Sequence, residues 1–309
     1  MRTTSRRSFR FRVLLSGLVV IGCGDTDGPP GPGGLTSILI ADTPFPYDIV
    51  AEANLFVVRV EAGIDSGSTG GGCTNAAVVA TPNRRVDLLE LQGGIVATLG
   101  QVSIPAGDYR AVCITINTDL SNLVLRDGRI LTGTSSPVID WSGSGERIIK
   151  ADIFDPIQIA DTGGTILIHF DVGKSFIPLQ DVLPPRIDSG YAFIAVTEAL
   201  NPAATGAISG TVVATTTGGT PIPHASIRVM VGDSSLPENT WFVASTGTTD
   251  TTGHFKIAYL ASSSRWVPQG WVYNLAADAP STAGLLPVVI KGVVVDAPDE
   301  TSLGEIVLP

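Results

Sequence analysis

The chain alternates apolar and polar residues over short runs, each closed by Gly, Pro, Asn or Asp. Across Tyr109–Ile116 one face carries Arg110, Val112, Ile114 and Ile116, and the other Tyr109, Ala111, Cys113 and Thr115. A period of two predicts a half-buried β-strand. The stretch leading into it, residues 85–116, has two apolar runs broken by Gly93-Gly94 and a Pro105-Ala106-Gly107-Asp108 turn. Further strands are predicted at Leu35–Ile40, Ala53–Val60, Asn122–Leu125, Glu146–Ile153, Thr165–Phe170 and Tyr191–Thr197, with Asp127-Gly128 as a hairpin turn. Residues 63–75 (GIDSGSTGGGCTN) lack any apolar period and read as a Gly/Ser loop. After Asn201-Pro202 the pattern restarts. Strands are expected at Gly206–Val213, Pro221–Val229 and Phe255–Leu260, with a polar turn at Thr215–Thr220 and a tight turn at Thr249–His254. The expected fold class is all-β, with two consecutive β-sandwich domains at residues 35–200 and 206–309.

Composition agrees with that pattern. Charged residues make up 16% of the 309, while 35 glycines and 21 prolines supply turns. The one long basic segment is N-terminal: Arg2, Arg6, Arg7, Arg10 and Arg12 precede an apolar run, Val13–Ile21, too short to span a bilayer. The sequence Val20-Ile21-Gly22-Cys23 that follows resembles a bacterial lipobox, although Val20 stands where leucine is more usual. That resemblance implies a signal peptide at 1–22, cleavage before Cys23, lipidation of Cys23, and a Gly/Pro-rich tether through residue 34. Ser5-Arg6-Arg7-Ser8-Phe9 is similar to a twin-arginine export motif, so both export routes stay open. Gly24, not an acidic residue, follows Cys23; by the same resemblance this leans towards the outer membrane. The expected localisation is the bacterial cell envelope, lipid-anchored, on the periplasmic or surface face. The net charge is −10 and becomes more negative once the five arginines are removed. Such a surface repels phosphate backbones, so no nucleic-acid partner is expected.

Two stretches also resemble known modules. Asp42-Thr43-Pro44, Asp87–Gly94, Leu99-Gly100, Ile104–Tyr109 and Phe170–Phe176 occur in the order of a bacterial lipoprotein domain of unknown function, the family numbered 4382, over about residues 35–200. Where that family usually shows Asp-Phe-Asp, this chain has His169-Phe170-Asp171. The resemblance implies an all-β envelope module and no established activity. In the second half, Gly210-Thr211-Val212, Pro221-Ile222-Pro223-His224-Ala225, Thr249–Phe255 and a strand after Gly270 resemble the carboxypeptidase regulatory-like module, a transthyretin-like sandwich.

Candidate chemistry is sparse. His169, His224 and His254 stand far apart, away from metal-ligand spacing, and are expected at the surface or in turns. There is no nucleophile elbow, P-loop or dinucleotide fingerprint. No catalytic residue, metal or cofactor is expected. Asp42, Asp161 and Asp171 are expected at strand ends as turn caps, the alternative being calcium ligands. Cys73 and Cys113 form an even pair in a chain expected to be exported, so a disulfide is expected between the loop and the strand. Trp266, Trp271 and Tyr273 are candidate ligand-binding residues, because aromatic rings stack on sugar faces; the alternative for each is packing. The functional expectation is a non-enzymatic, membrane-anchored binding or scaffold module whose partners are the membrane and a polysaccharide or envelope protein. Alternatives are a carbohydrate-binding adhesin or nutrient-capture accessory, an enzyme with a carboxylate-based site, and a structural spacer.

Overall fold

The computed structural model describes residues 33–43, 49–64, 73, 76–179, 189–215 and 217–309. The basic segment, the apolar run, Cys23 and the tether up to residue 32 lie outside the described residues, as do Pro44 and most of the 63–75 loop. Among the described residues no helix is long and apolar enough to cross a membrane.

Strands dominate. In chain order the first are β1 (Leu35–Thr43), β2 (Val50–Gly63), β3 (Ala77–Ala80) and β4 (Arg84–Asp87). A single 3-10 turn, Leu88–Leu91, leads to β5 (Ala97–Ser103), β6 (Gly107–Tyr109) and the long β7 (Ala111–Leu125). Next come β8 (Ile130–Leu131), β9 (Ile139–Asp140), β10 (Glu146–Ala151), β11 (Ile157–Ile159) and β12 (Gly164–Asp171). The short helix α1 (Val172–Ser175) precedes β13 (Phe176–Pro178), β14 (Tyr191–Phe193) and β15 (Thr197–Leu200). The second half holds β16 (Thr205–Ala214), β17 (Ser226–Gly232), β18 (Phe242–Thr248) and β19 (His254–Ala261). It closes with β20 (Val272–Asp278), β21 (Val288–Val293) and β22 (Glu300–Leu308).

The first sandwich packs a sheet of order β15-β12-β1-β5 against one built on β10-β7-β2-β3, with β4 and β8 added to β2 and β7. Their apolar faces meet in one core running from Ile38 to Ala199. At its centre β1 and β12 run parallel, pairing Ile38 with Ile166 and Ile40 with Ile168, and all four side chains are fully buried. Central parallel strands covered on both faces have this near-continuous apolar character. The Asp127-Gly128 turn joins β7 to β8, with Gly128 at φ 85° and its N–H donating to Leu125 O.

Tyr109–Ile116 departs from the expected half-buried strand. β7 is flanked by β2 and β10, and both of its faces are covered from Ala111 to Ile116. On the face opposite Val112, Ile114 and Ile116, the structure joins Cys113 to Cys73 by a disulfide with Cα atoms 6.0 Å apart. Cys113 and Thr115 are fully buried there. Alternation reports one apolar face; it does not register that the other carries a residue bonded to Cys73.

The second sandwich stacks β19-β16-β22 on β18-β17-β20-β21. Its separate core runs from Ile208 to Leu308. Only Asn201 and one 3-10 turn, Pro202–Ala204, separate β15 from β16. The Asn201 side chain caps that turn by accepting from Ala203 N–H. So short a connection lays the second sandwich directly against the end of the first.

Candidate functional site

The seam between the sandwiches is built from the end of β12, β15, and the Gly93-Gly94 turn on one side. β18, β19 and the turns after β19 form the other. Gly93 and Gly94 have φ of 67° and 92°, backbone angles that side-chain-bearing residues adopt only at a cost, so two glycines can make the turn. A Cβ on Gly94 would stand 3.2 Å from Ala258 Cβ, so the second sandwich comes right up to this turn.

Tyr259 is the opposing contact. Strand β19 pairs Ile257 with Ile208 and Leu260 with Gly206, a register shift that leaves an extra residue. Tyr259 sits in that bulge at φ 61°, a strained angle for a bulky side chain. The bulge turns its ring towards the first sandwich, where Oη donates to Gly94 O at 2.9 Å and the ring meets the His169 imidazole edge-on at 5.4 Å. Partial burial raises the phenol's pKa. A second tie is Arg265, whose guanidinium pairs with Asp155 at 2.7 Å and lies over the Phe154 ring at 4.8 Å.

Between these two ties opens a cleft of about 560 Å³, within the size range of small-ligand pockets. Glu198 and Leu200 on one side, with Ser245, Tyr259 and Trp266 on the other, form much of its wall. Tyr273 closes its floor; it is 1% exposed, and its hydroxyl donates to Ala261 O at 2.9 Å. Burial pushes this phenol up to about 12, against a smaller lowering by the Trp266 N–H. Trp266 stands edge-on to Tyr273 at 6.3 Å.

The structure therefore divides the three candidate aromatics. Trp266 and Tyr273 share the cleft, Tyr273 as a packed floor and not as a presented ring. Trp271 does not line it; just ahead of β20, it tilts against the exposed Phe242 with ring centres 5.5 Å apart.

His169 corrects the surface or turn expectation. It lies on β12 only 9% exposed, with Nε2 3.2 Å from Thr43 Oγ1 and Nδ1 3.2 Å from Glu198 Oε1. Histidine is rare in a buried strand, and here Thr43 and Glu198 from the flanking strands satisfy both ring nitrogens. His224 and His254 are exposed, His224 in a turn at φ 56°. The order hydroxyl, imidazole, carboxylate matches that of nucleophilic hydrolases. Thr43, however, is 3% exposed and faces a space of about 10 Å³ beneath Tyr259, room for no more than one water. No substrate carbonyl reaches it. The chain Thr43–His169–Glu198 supports the seam.

Two aspartates cap as expected and one does something further. Asp171 accepts from Lys174 N–H at 2.9 Å and pairs with Lys174 Nζ at 2.8 Å. Asp42 accepts from Val172 N–H at 3.0 Å through Oδ1, while Oδ2 is buried without a hydrogen-bond partner. Burial pushes its pKa well above the ordinary 3.8, with smaller raising contributions from Asp171 and Asp87. Among the described residues no group of three or more His, Cys, Asp or Glu side chains is placed to hold a metal ion.

Sequence reading missed Glu198, Asp155 and Arg265, and the seam contacts of Gly94 and Tyr259. One signal was present: in Phe255-Lys256-Ile257-Ala258-Tyr259-Leu260 the apolar period slips from two to three after Ile257, as a bulge requires.

No curated protein matches the chain. Among solved structures it is similar to the shaft pilin SpaA from Lactobacillus rhamnosus GG at 10% identity, over 89% of this chain and 97% of that one, with a TM-score of 0.22. It is similar to a streptococcal ancillary pilin at 12% identity, over 89% of this chain and 62% of that one, with a TM-score of 0.22. The major pilin subunit BcpA of Bacillus cereus is 11% identical over 89% of this chain and 69% of that one, also at 0.22. Scores this low carry no argument about function or assembly. Residues 33–182, the greater part of the first sandwich, match the family described as Domain of unknown function (DUF4382).

Proposed function

We propose that this protein is a membrane-anchored cell-envelope lipoprotein acting as a non-enzymatic binding module. The observation that carries the reading is the composite cleft: two sandwiches close on a pocket whose most catalysis-like groups are engaged in holding the seam together. Asp155 pairs with Arg265, Glu198 with His169, and Thr43 is sealed from solvent. Anchoring is supported by the basic segment, the short apolar run and the lipobox-like Val20-Ile21-Gly22-Cys23, followed by a Gly/Pro-rich stretch. We assign the second sandwich to the carboxypeptidase regulatory-like type on its turn motifs. Localisation at the outer membrane follows from Gly24 after the lipidated cysteine.

Cell fractionation tests the anchor. The unaltered chain is expected in the detergent phase and Cys23→Ala in the aqueous phase; equal retention of both would remove the claim. A second reading, capture of a polysaccharide, is favoured by the exposed Phe242 ring beside the half-buried Trp271. A glycan array with Trp271→Ala and Trp266→Ala as controls tests it, and absence of binding to any polymer would count against it.

A further inference from the structure

We propose that the interdomain cleft takes an ammonium-bearing ligand with an apolar body, the cation meeting Glu198 and the body lying along Tyr259, Trp266 and Leu200. The inference rests on reading the cleft as a binding site and does not depend on the lipid anchor. Its basis is which polar groups are committed elsewhere. Arg265, the cleft's permanent cation, is held by Asp155 at 2.7 Å and stacked near Phe154 and Trp266, at 4.8 and 5.4 Å. His169 has both ring nitrogens engaged, by Thr43 and Glu198. Glu198 contacts this imidazole through Oε1 at 3.2 Å, and its side chain stays 31% exposed in the cleft wall. The two carboxylates, Asp155 and Glu198, outnumber Arg265, the permanent cation of the cleft lining.

The hydroxyls point the same way. Tyr259 and Tyr273 donate their protons to the Gly94 and Ala261 carbonyls, and the Tyr259 oxygen offers the cleft lone pairs only. Both phenols have raised pKa values and stay protonated at neutral pH. A wall with a carboxylate, acceptor oxygens and aromatic rings complements an ammonium group, which carries three donors and no acceptor. An anion would face Glu198 and Asp155. A neutral alcohol of the same shape would satisfy fewer of the acceptors and gain nothing from the charge.

Isothermal calorimetry of the full-length chain at pH 7 tests this with phenethylamine, its neutral isostere 2-phenylethanol and its anionic counterpart phenylacetate. Saturable one-site binding is expected for the amine alone. Glu198→Gln, which keeps an acceptor for His169, should weaken it by about tenfold or more, as expected for a lost charge-assisted hydrogen bond. Ala244→Trp, at an exposed position in the cleft wall, should abolish it by filling the space while leaving the core untouched. Equal affinity in Glu198→Gln, equal or tighter binding of either isostere, or no saturable binding of the amine would overturn the proposal. Binding of a neutral maltooligosaccharide blocked by Ala244→Trp would refute the ligand class yet retain the binding module. Failure of every ligand would remove both.

Discussion

Removing the Cys73–Cys113 disulfide with paired alanines should destabilise the first sandwich by about 4 kcal/mol. The bridge closes a separation of 40 residues. In the chain-entropy model a loop of that length contributes roughly 2.1 + 1.5R ln n cal/mol/K, or about 4 kcal/mol at 25 °C. Spread over a domain of this size, that corresponds to a Tm lower by about 8–16 °C. The figure is a floor if loss of the bridge also uncovers Thr115 on β7, which is fully buried in the oxidised protein. Calorimetry of the unaltered chain with and without reductant, beside the Cys73→Ala/Cys113→Ala variant, gives the answer directly. The first sandwich's transition should fall in both, while the second, whose core contains no cysteine, keeps its own transition temperature. A shift smaller than about 2 °C would show that loop closure is not what the bridge contributes, and that the unfolded chain is already compact around it.

Tyr259→Phe keeps the ring and the bulge but deletes the hydrogen bond to Gly94 O; it should cost about 0.5–1.5 kcal/mol in urea unfolding, and an unchanged midpoint would refute the role given to that bond. Asp42→Asn should raise the Tm at pH 7, because the native carboxyl resists ionisation more than the unfolded one, whose pKa is near 3.8. The sign follows from linkage: a carboxyl with a raised folded-state pKa opposes folding increasingly as pH rises above its unfolded value. The gain should therefore vanish as pH falls below about 4, and a gain constant across pH would refute the assignment.

The fold was legible where a strand obeys one rule at a time. β1, β12, β16 and β19 announce themselves by apolar runs bounded by turn residues, and the Asp127-Gly128 hairpin by its dipeptide. β18 was missed because Phe242-Val243-Ala244 is an edge segment with all three residues exposed, so no buried face gives it a period. β21 and β22 carry glycines at positive φ, Gly292 and Gly304, that interrupt alternation inside the strand. The cleft was illegible for a different reason: its wall joins Glu198, Tyr259 and Trp266 from both sandwiches, and no local spacing encodes the docking of two cores. The Gly93-Gly94 pair was visible as a break in pattern. That it also receives the second sandwich follows from Tyr259, 165 residues further along.

The central claim is that the two sandwiches dock through the Gly-Gly turn and the β19 bulge, and so make the cleft together. Cysteines at Gly94 and Ala258 test it most directly, since a Cβ at Gly94 would stand 3.2 Å from that of Ala258. This is within a few tenths of an ångström of the about 3.5–4.5 Å that a disulfide needs. Placing a side chain at Gly94 against its φ of 92° costs on the order of 1–3 kcal/mol, which the native cores should tolerate. Peptide mapping of Gly94→Cys/Ala258→Cys under non-reducing conditions should recover the 94–258 cross-link within single chains, beside an intact Cys73–Cys113 bridge. Free thiols at both positions in the folded monomer would mean that the sandwiches do not dock at this seam.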